Sequence, residues 1–423
     1  MLLFVTTLYC GPAARTGRGC GRGGSGLYPE LAAFGMGDGA SPALLREVGR
    51  QTALLPSYEI ARAELVRRGI DLDIKTVHRL GRQLGAEVLT ARRHELEHYR
   101  DGQVPAGKEL ARKRIGVAID GGRVRTRVVT RKVKNRKRST KRRCKFRTEW
   151  REPKLLIIFE LDKQGRMKAG TRPWIDGTFL GPDAVMELLA FHLHRLGAAR
   201  AQQVVFLADG APWVWERLDW VQHRVGLQAK RCARVLDFCH AVHHVSLLLE
   251  ALGVPDAERP QQLRRYRGAL RAGHCRQLVA ELAVLAGDQN KDHEPAVCRE
   301  LVYLENHAYA GHMDYALCRR RRIPLGSGAI ESAIRRVVNL RLKGNGLLWK
   351  IENAEGLLAL RAAVLTDRWE ETLDHAQQVL AGDRNRDWHW QPPDMRAELN
   401  TPESIAPPIP QVQAQSQAKR HAA

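Results

Sequence analysis

The sequence predicts an α/β protein with a long all-α stretch set into it and a helical region in front of it. Three observations lead there. Short apolar runs rich in β-branched residues, IGVAI at 115–119, LLIIF at 155–159 and VVFL at 204–207, read as buried strands. Helical periods lie between the later runs, which is the alternation of an α/β sheet. Residues 245 to about 325 then carry only helical patterns, with no strand signal.

Composition narrows the partners. The 423 residues are enough for two or three domains, each with its own core. Lys and Arg number 69 against 46 Asp and Glu, a net charge of +23. Such an excess suits a polyanion, because lysine and arginine displace counterions from phosphates. It argues against an enzyme of small neutral metabolites. The cysteines at 10, 20, 144, 232, 239, 275, 298 and 318 contain no CxxC pair, so neither a disulfide framework nor a zinc ribbon is expected. Met1 to Tyr9 is apolar but too short to span a bilayer, and no later run reaches membrane length. A cytoplasmic protein without membrane association is the expectation.

Taken in order, residues 1–40 are Gly- and Arg-rich without an apolar period and read as loop or disorder. Residues 41–107 read as helical. Ser57 caps one helix through Ile60, Ala61 and Leu65, and Gly69 ends it. Asp73 caps a second with Val77, Leu80 and Leu84 on one face. Two short helices about a glycine-containing turn fit a helix-turn-helix, with an ordinary helical hairpin as the commoner alternative. Its second helix presents Lys75, Thr76, His78, Arg79 and Arg82 on or near the exposed side. A charged connector helix follows from Ala86.

IGVAIDGGRVRTRVV then predicts a strand ending at Asp120, a turn at Gly121 and Gly122, and a second strand paired to the first. Residues 125–147 are almost continuously basic, a solvated charge run or a basic hairpin tip for phosphates; Arg138, Lys141, Arg142 and Arg143 stand out. Glu149 and Glu152 beside it are expected to pair with nearby arginines. A strand follows in TEWREPKLLIIFELD, then a helix from Pro182 through Leu196.

VVFLADGAPWVW at 204–215 is the centre of the chain. Its strand ends at Asp209, where Gly210, Ala211 and Pro212 break it. An acid there either sits on the rim where α/β sheets hold ligands or caps the helix beginning near Pro212. Lys230 to Phe238 reads as another strand with Asp237 near its end. His240, His243 and His244 follow at helical spacing; a structural role is favoured over zinc, since no third ligand is evident. After the all-α insertion at 245–325, a loop at Gly326, Ser327 and Gly328 opens a helix with Glu331 in its first turn. That helix also carries Arg335, Arg336, Arg341 and Lys343. Glu331 has a plain alternative as a carboxylate favoured by the helix dipole. A further helix spans Asn353 to Leu365, and residues 383–423, rich in Pro and Gln, read as a disordered tail.

The order three strands, helix, strand, helix, strand fits an RNase H-like sheet. In such a sheet the first and fourth strands are neighbours, so Asp120 and Asp209 would meet, and the helix after the insertion could bring Glu331. Three converging carboxylates call for hard divalent cations, magnesium or manganese, and two such ions suit in-line displacement at phosphorus. Nothing resembles a phosphate-binding Gly-rich NTPase loop, so no nucleotide cofactor is expected.

Four stretches carry a family resemblance: VAIDGGR at 117–123, TEWREPKLLIIFELDKQGR at 148–166, VVFLADGAPWVWERL with LDFCHAVHH, and IESAIRRVVNLRLKGNGLLWKIENAEGLLALR at 330–361. Together they resemble insertion-sequence transposases of the ISKra-four type, within the RNase H-like DDE group that also holds the Mutator-like enzymes. The resemblance covers about residues 41–370. It implies a DNA transposase that cuts and rejoins strands at element ends, with Asp120, Asp209 and Glu331 as catalytic, metal-holding acids. It places Asp237 and His240, a match to an Asp-x-x-His signature, in the active-site vicinity. It implies double-stranded DNA partners (terminal repeats and target), a homo-oligomer that joins two ends, and a nucleoid-associated location. The chain departs from the pattern where Cys20 lacks a partner, with Gly23 in its place. A non-catalytic DNA-binding regulator and a metal-dependent nuclease are the alternatives.

Overall fold

The computed structural model describes residues 40–131, 145–288, 294–344 and 346–386. The expected Gly/Arg-rich segment before residue 40, the basic residues Arg138, Lys141, Arg142 and Arg143, and the tail beyond 386 lie outside these.

The architecture is α/β around a five-stranded mixed sheet. Strands β1 (Arg114–Gly121), β4 (Lys154–Glu160), β5 (Trp174–Thr178), β6 (Gln203–Ala208) and β7 (Cys232–Leu236) lie in the order β5-β4-β1-β6-β7. β4 is antiparallel to β1 and to β5, whereas β6 runs parallel to both β1 and β7. The remaining strands, β2 (Val124–Arg131) and β3 (Lys145–Arg151), form a separate antiparallel ribbon.

Two details differ from the sequence expectation. Five strands, not three, precede the first helix of the sheet domain; β5, WIDGT, is too short and polar to register as an apolar run. The Gly-Gly turn does not pair β1 with β2. Gly121 is still in the β1–β4 ladder opposite Lys154, and the Gly122 N–H donates to the Pro153 carbonyl at 2.8 Å. The chain thus leaves the sheet at Gly122, and the ribbon rises from its rim.

Strand alternation divides the core into two layers. Ile115, Val117, Ile119, Leu156, Ile158, Val204 and Phe206 face helices α4 (Pro182–Arg195) and α5 (Pro212–Val225). Ala118, Leu155, Ile157, Val205, Leu207 and Val235 face a larger core. That core takes in the N-terminal helices α1 (Pro42–Leu54), α2 (Tyr58–Arg67) and α3 (Ile74–Arg100). It also takes in the insertion helices α6 (Phe238–Ala251), α7 (Arg259–Ala272), α8 (Cys275–Asp288), α9 (Pro295–Tyr309) and α10 (Tyr315–Arg320). The C-terminal helices α11 (Gly328–Ile334), α12 (Ile351–Leu365) and α13 (Trp369–Arg386) complete it, the last running past Gly382, where the tail was expected to begin.

The caps form where the sequence places them. The Ser57 side chain accepts from the Ile60 N–H and Asp73 from the Lys75 and Thr76 N–H groups, and Gly69 has φ +79°. The second helix and the connector are, however, one continuous helix of 27 residues. It crosses α12 at a glycine pair: a Cβ on Gly85 would stand 3.0 Å from the Gly356 Cα. Only two glycines allow backbones that close. A buried ionic network adds to this contact. Arg92 of α3 bonds Asp176 of β5 at 3.1 Å and Glu355 of α12 at 2.6 Å, while His192 bonds Asp176 at 2.8 Å. The N-terminal helices are therefore fused to the sheet domain through a shared core.

Candidate active site and nucleic-acid surfaces

The three parallel strands β1, β6 and β7 all finish in aspartate. Ala118 pairs with Leu207 and Ala208 with Leu236. Continuing those registers sets Asp120, Asp209 and Asp237 level on three neighbouring strands. By alternation Asp120 and Asp209 point to the same side as Ala118 and Leu207, toward α11 and the insertion.

The acids differ in their surroundings. Asp120 is half-buried, and burial, reinforced by the Asp209 and Glu152 charges, pushes its carboxyl up to about 6. The Gly121 N–H, bonded to Asp120 Oδ1 at 2.5 Å, and the nearby His240 act against that rise. Asp237 behaves oppositely. Burial opposes its ionisation, but donors outweigh burial and hold the carboxyl well below the ordinary range. They are His240, the Ser327 N–H at 2.5 Å and the Ser327 hydroxyl at 2.8 Å. Asp237 in turn raises the His240 pKa, against the effect of burial, and the Asp209 and Asp120 charges add to the rise. The rim therefore carries a facing pair, Asp120 and Asp209, beside an imidazole held toward its cationic form.

The insertion holds the Asp209 turn. Gly210 has φ +88°, and the Tyr303 hydroxyl of α9 donates to the Asp209 carbonyl at 2.7 Å. A Cβ on Gly210 would stand 2.2 Å from that hydroxyl, so glycine is required here twice over. His307 lies 3.3 Å from the Gly210 carbonyl, and His244 stacks on Tyr303 while bonding Glu300 at 2.6 Å. Asp209 Oδ1 accepts from the Ala211 N–H at 3.1 Å, a turn contact; helix α5 itself has no side-chain cap. Nothing in the sequence pointed to Tyr303 or His307, which lie some ninety residues from the turn they support.

Glu331 is exposed in the first turn of α11, which packs on β1 and β4 and is tied to the rim through Ser327 and Asp237. Among the described residues, no three His, Cys, Asp or Glu side chains stand close enough to hold a metal ion together as arranged. The structure brings Asp120, Asp209 and His240 into electrostatic reach of one another, with Glu331 outside any such group of three. The Asp120–Asp209 pair has the hard-oxygen chemistry and mutual repulsion, only partly offset by His240, that fit a divalent cation.

The basic residues divide. Lys75, Arg79 and Arg82 are exposed along one face of α3, whereas the Thr76 hydroxyl is spent on Asp73 at 2.6 Å and His78 stacks on Tyr58. Arg335 and Lys343 are exposed and Arg336 is half-buried. Arg341 corrects the sequence expectation. It is 1% exposed, its guanidinium 4.9 Å and 5.1 Å from the Tyr58 and Trp349 rings, and its Nε donates to the Thr52 carbonyl at 3.1 Å. It follows the buried Ile330, Ile334 and Val337 at helical spacing and so lies on the side turned to the core. Arg341 and Arg361, which donates to the Ala53 and Leu54 carbonyls, satisfy the open C-terminus of α1 instead of a phosphate.

Among the described residues, Cys232, Cys239, Cys275, Cys298 and Cys318 form no disulfide, and no helix is long and apolar enough to cross a membrane. Compared with known protein families and with curated proteins, the chain matches none of them.

Proposed function

We propose that the protein is a DNA transposase with an RNase H-like core, cutting and rejoining DNA strands by divalent-metal-dependent phosphoryl transfer. The observation that carries this reading is the pair Asp120 and Asp209, level on adjacent parallel strands and facing one side, with the Asp120 carboxyl raised to about 6. The sheet order, with one antiparallel strand between β1 and β5, supports the core assignment by analogy. The net charge of +23 supports a polyanionic substrate.

Asp120 and Asp209 are the residues that would hold magnesium or manganese, with Glu331 delivered by a shift of α11. A bound cation supplies Lewis-acid activation of an attacking oxygen and stabilises the leaving one. The chain's own groups do the rest. Tyr303 and His307 fix the turn that aims Asp209. Asp237 keeps a proton on His240 beside both carboxylates, where it can be given to a leaving oxygen. Lys75, Arg79 and Arg82, with Arg335, Arg336 and Lys343, take backbone phosphates. Joining two ends needs two active sites, so a homo-oligomer on double-stranded DNA follows.

Asp209→Asn tests the site. With duplexes from the DNA flanking the coding region, wild type cleaves only with magnesium or manganese, and the variant binds without cleaving. Unchanged cleavage by the variant sinks the assignment. A labelled strand-joining assay separates transposase from nuclease. The non-catalytic regulator is favoured by the lack, among the described residues, of a three-residue metal group; it predicts binding without cleavage by wild type.

A further inference from the structure

The β2–β3 ribbon has two unlike faces. Cross-strand partners share a face, so Val124/Arg151, Thr126/Glu149 and Val128/Arg147 lie on one side and Arg125/Trp150, Arg127/Thr148 and Val129/Phe146 on the other. The first face is anchored. Val124 and Thr126 are buried, and Glu149 is bound by Arg147 at 2.6 Å and Arg151 at 3.0 Å. The ribbon is also tied to the C-terminal region, since the Arg127 N–H donates to the Trp349 carbonyl at 2.8 Å and the Trp349 N–H to that of Arg125 at 3.1 Å.

The second face is left to solvent. Trp150 is 52% exposed and Phe146 47% exposed on the same strand, four residues apart and so on the same side. Such large aromatics would normally be buried, and here the described residues leave about half of each exposed. The Arg123 and Arg125 guanidiniums lie 5.6 Å and 5.9 Å from the Trp150 ring centre. Arg127 is exposed beside them, and the acid of the ribbon, Glu149, belongs to the other face.

We propose that this face is a single-stranded DNA site, on which an unpaired base stacks on Trp150 while the arginines hold its flanking phosphates. An aromatic ring next to guanidiniums offers a π-face to any base and charge to the backbone, the combination by which unpaired strands are bound without sequence preference. A protein partner would need acidic complementarity over an apolar patch; an intact duplex hides its base faces and gains nothing from the ring. Because β1 leads straight from Asp120 into the ribbon, the face is rooted at the rim. The inference rests on the DNA-processing reading and adds to it a site for a strand opened near the cut.

The test measures binding of the full-length protein to fluorescein-labelled oligothymidylate, an abasic oligonucleotide of equal length, and a duplex. Wild type should prefer oligothymidylate over the abasic strand. Trp150→Ala should weaken oligothymidylate binding roughly 5- to 150-fold. It should leave abasic and duplex binding and the salt dependence unchanged, and Trp150→Phe should retain most of the preference. Equal binding of oligothymidylate and abasic strand by wild type, or equal losses on all three ligands in Trp150→Ala, overturns the stacking site while leaving the DNA-processing reading intact. Failure of wild type to bind any DNA overturns that reading itself.

Discussion

Replacing Asp120 by asparagine tests the rim through stability as well as activity. The carboxyl titrates near 6 against an ordinary 3.8, because burial and then the Asp209 charge disfavour its anion. Folding therefore raises the pKa of an acid, and the native state binds the proton more tightly than the unfolded chain. The resulting penalty on the charged form is small below about pH 4, grows between about pH 4 and 6, and is complete above that. Two pKa units at full burial correspond to about 3 kcal/mol. Asp120 is only half-buried, and solvent screening reduces the expectation to about 1–2 kcal/mol. Asparagine keeps an oxygen for the Gly121 N–H, so the substitution removes charge and little else. In metal-free buffer Asp120→Asn should be more stable than wild type by that amount near neutral pH and by almost nothing near pH 4. Urea denaturation at both pH values measures it. Magnesium or manganese should narrow the gap by stabilising wild type alone, and the variant should not cleave DNA. A variant less stable at neutral pH, or a gap independent of pH, would refute the destabilised, partly buried anion on which the site argument stands.

Two other substitutions probe roles that only the tertiary structure assigns. Tyr303→Phe removes the hydrogen bond to the Asp209 carbonyl; it should cost about 1 kcal/mol of stability. If the turn aims Asp209, cleavage should fall by roughly tenfold or more through kcat, with DNA affinity kept, since small misplacements of a reacting group are costly. A loss of affinity with kcat preserved would contradict that role. Arg341→Ala should destabilise by about 2–4 kcal/mol, losing two ring contacts and the cap on α1. Its DNA affinity per folded molecule and salt dependence should match wild type; a reduced salt slope with unchanged melting would return Arg341 to the surface.

Much of the scaffold was legible because its signals are local. Ser57, Asp73 and Gly69 act within a turn of where they stand, and the strands at 115–119, 155–159 and 204–207 announce burial through composition alone. The ends of two of those strands were legible as well, where Asp120-Gly121 and Asp209-Gly210 break the apolar runs. The pairing of β1 was not, since a Gly-Gly turn between two apolar runs is compatible with a hairpin or with a chain leaving the sheet, and only the competing ladder with β4 decides. The fate of Arg341 was not legible either. Its charge argues for solvent, and only the Tyr58 and Trp349 rings and the Thr52 carbonyl, brought from elsewhere in the chain, make a place for it inside. What joins Asp209 to Tyr303, or Asp237 to Ser327, depends on segments some ninety residues apart meeting in one core. The sequence by itself thus determined most of the elements, the caps at Ser57 and Asp73 and the acids at the strand ends, all of which rest on neighbours along the chain. The tertiary structure alone decided which acids face each other, which arginines reach solvent and what holds the Asp209 turn, because burial and electrostatic coupling depend on distances in space that no local pattern encodes.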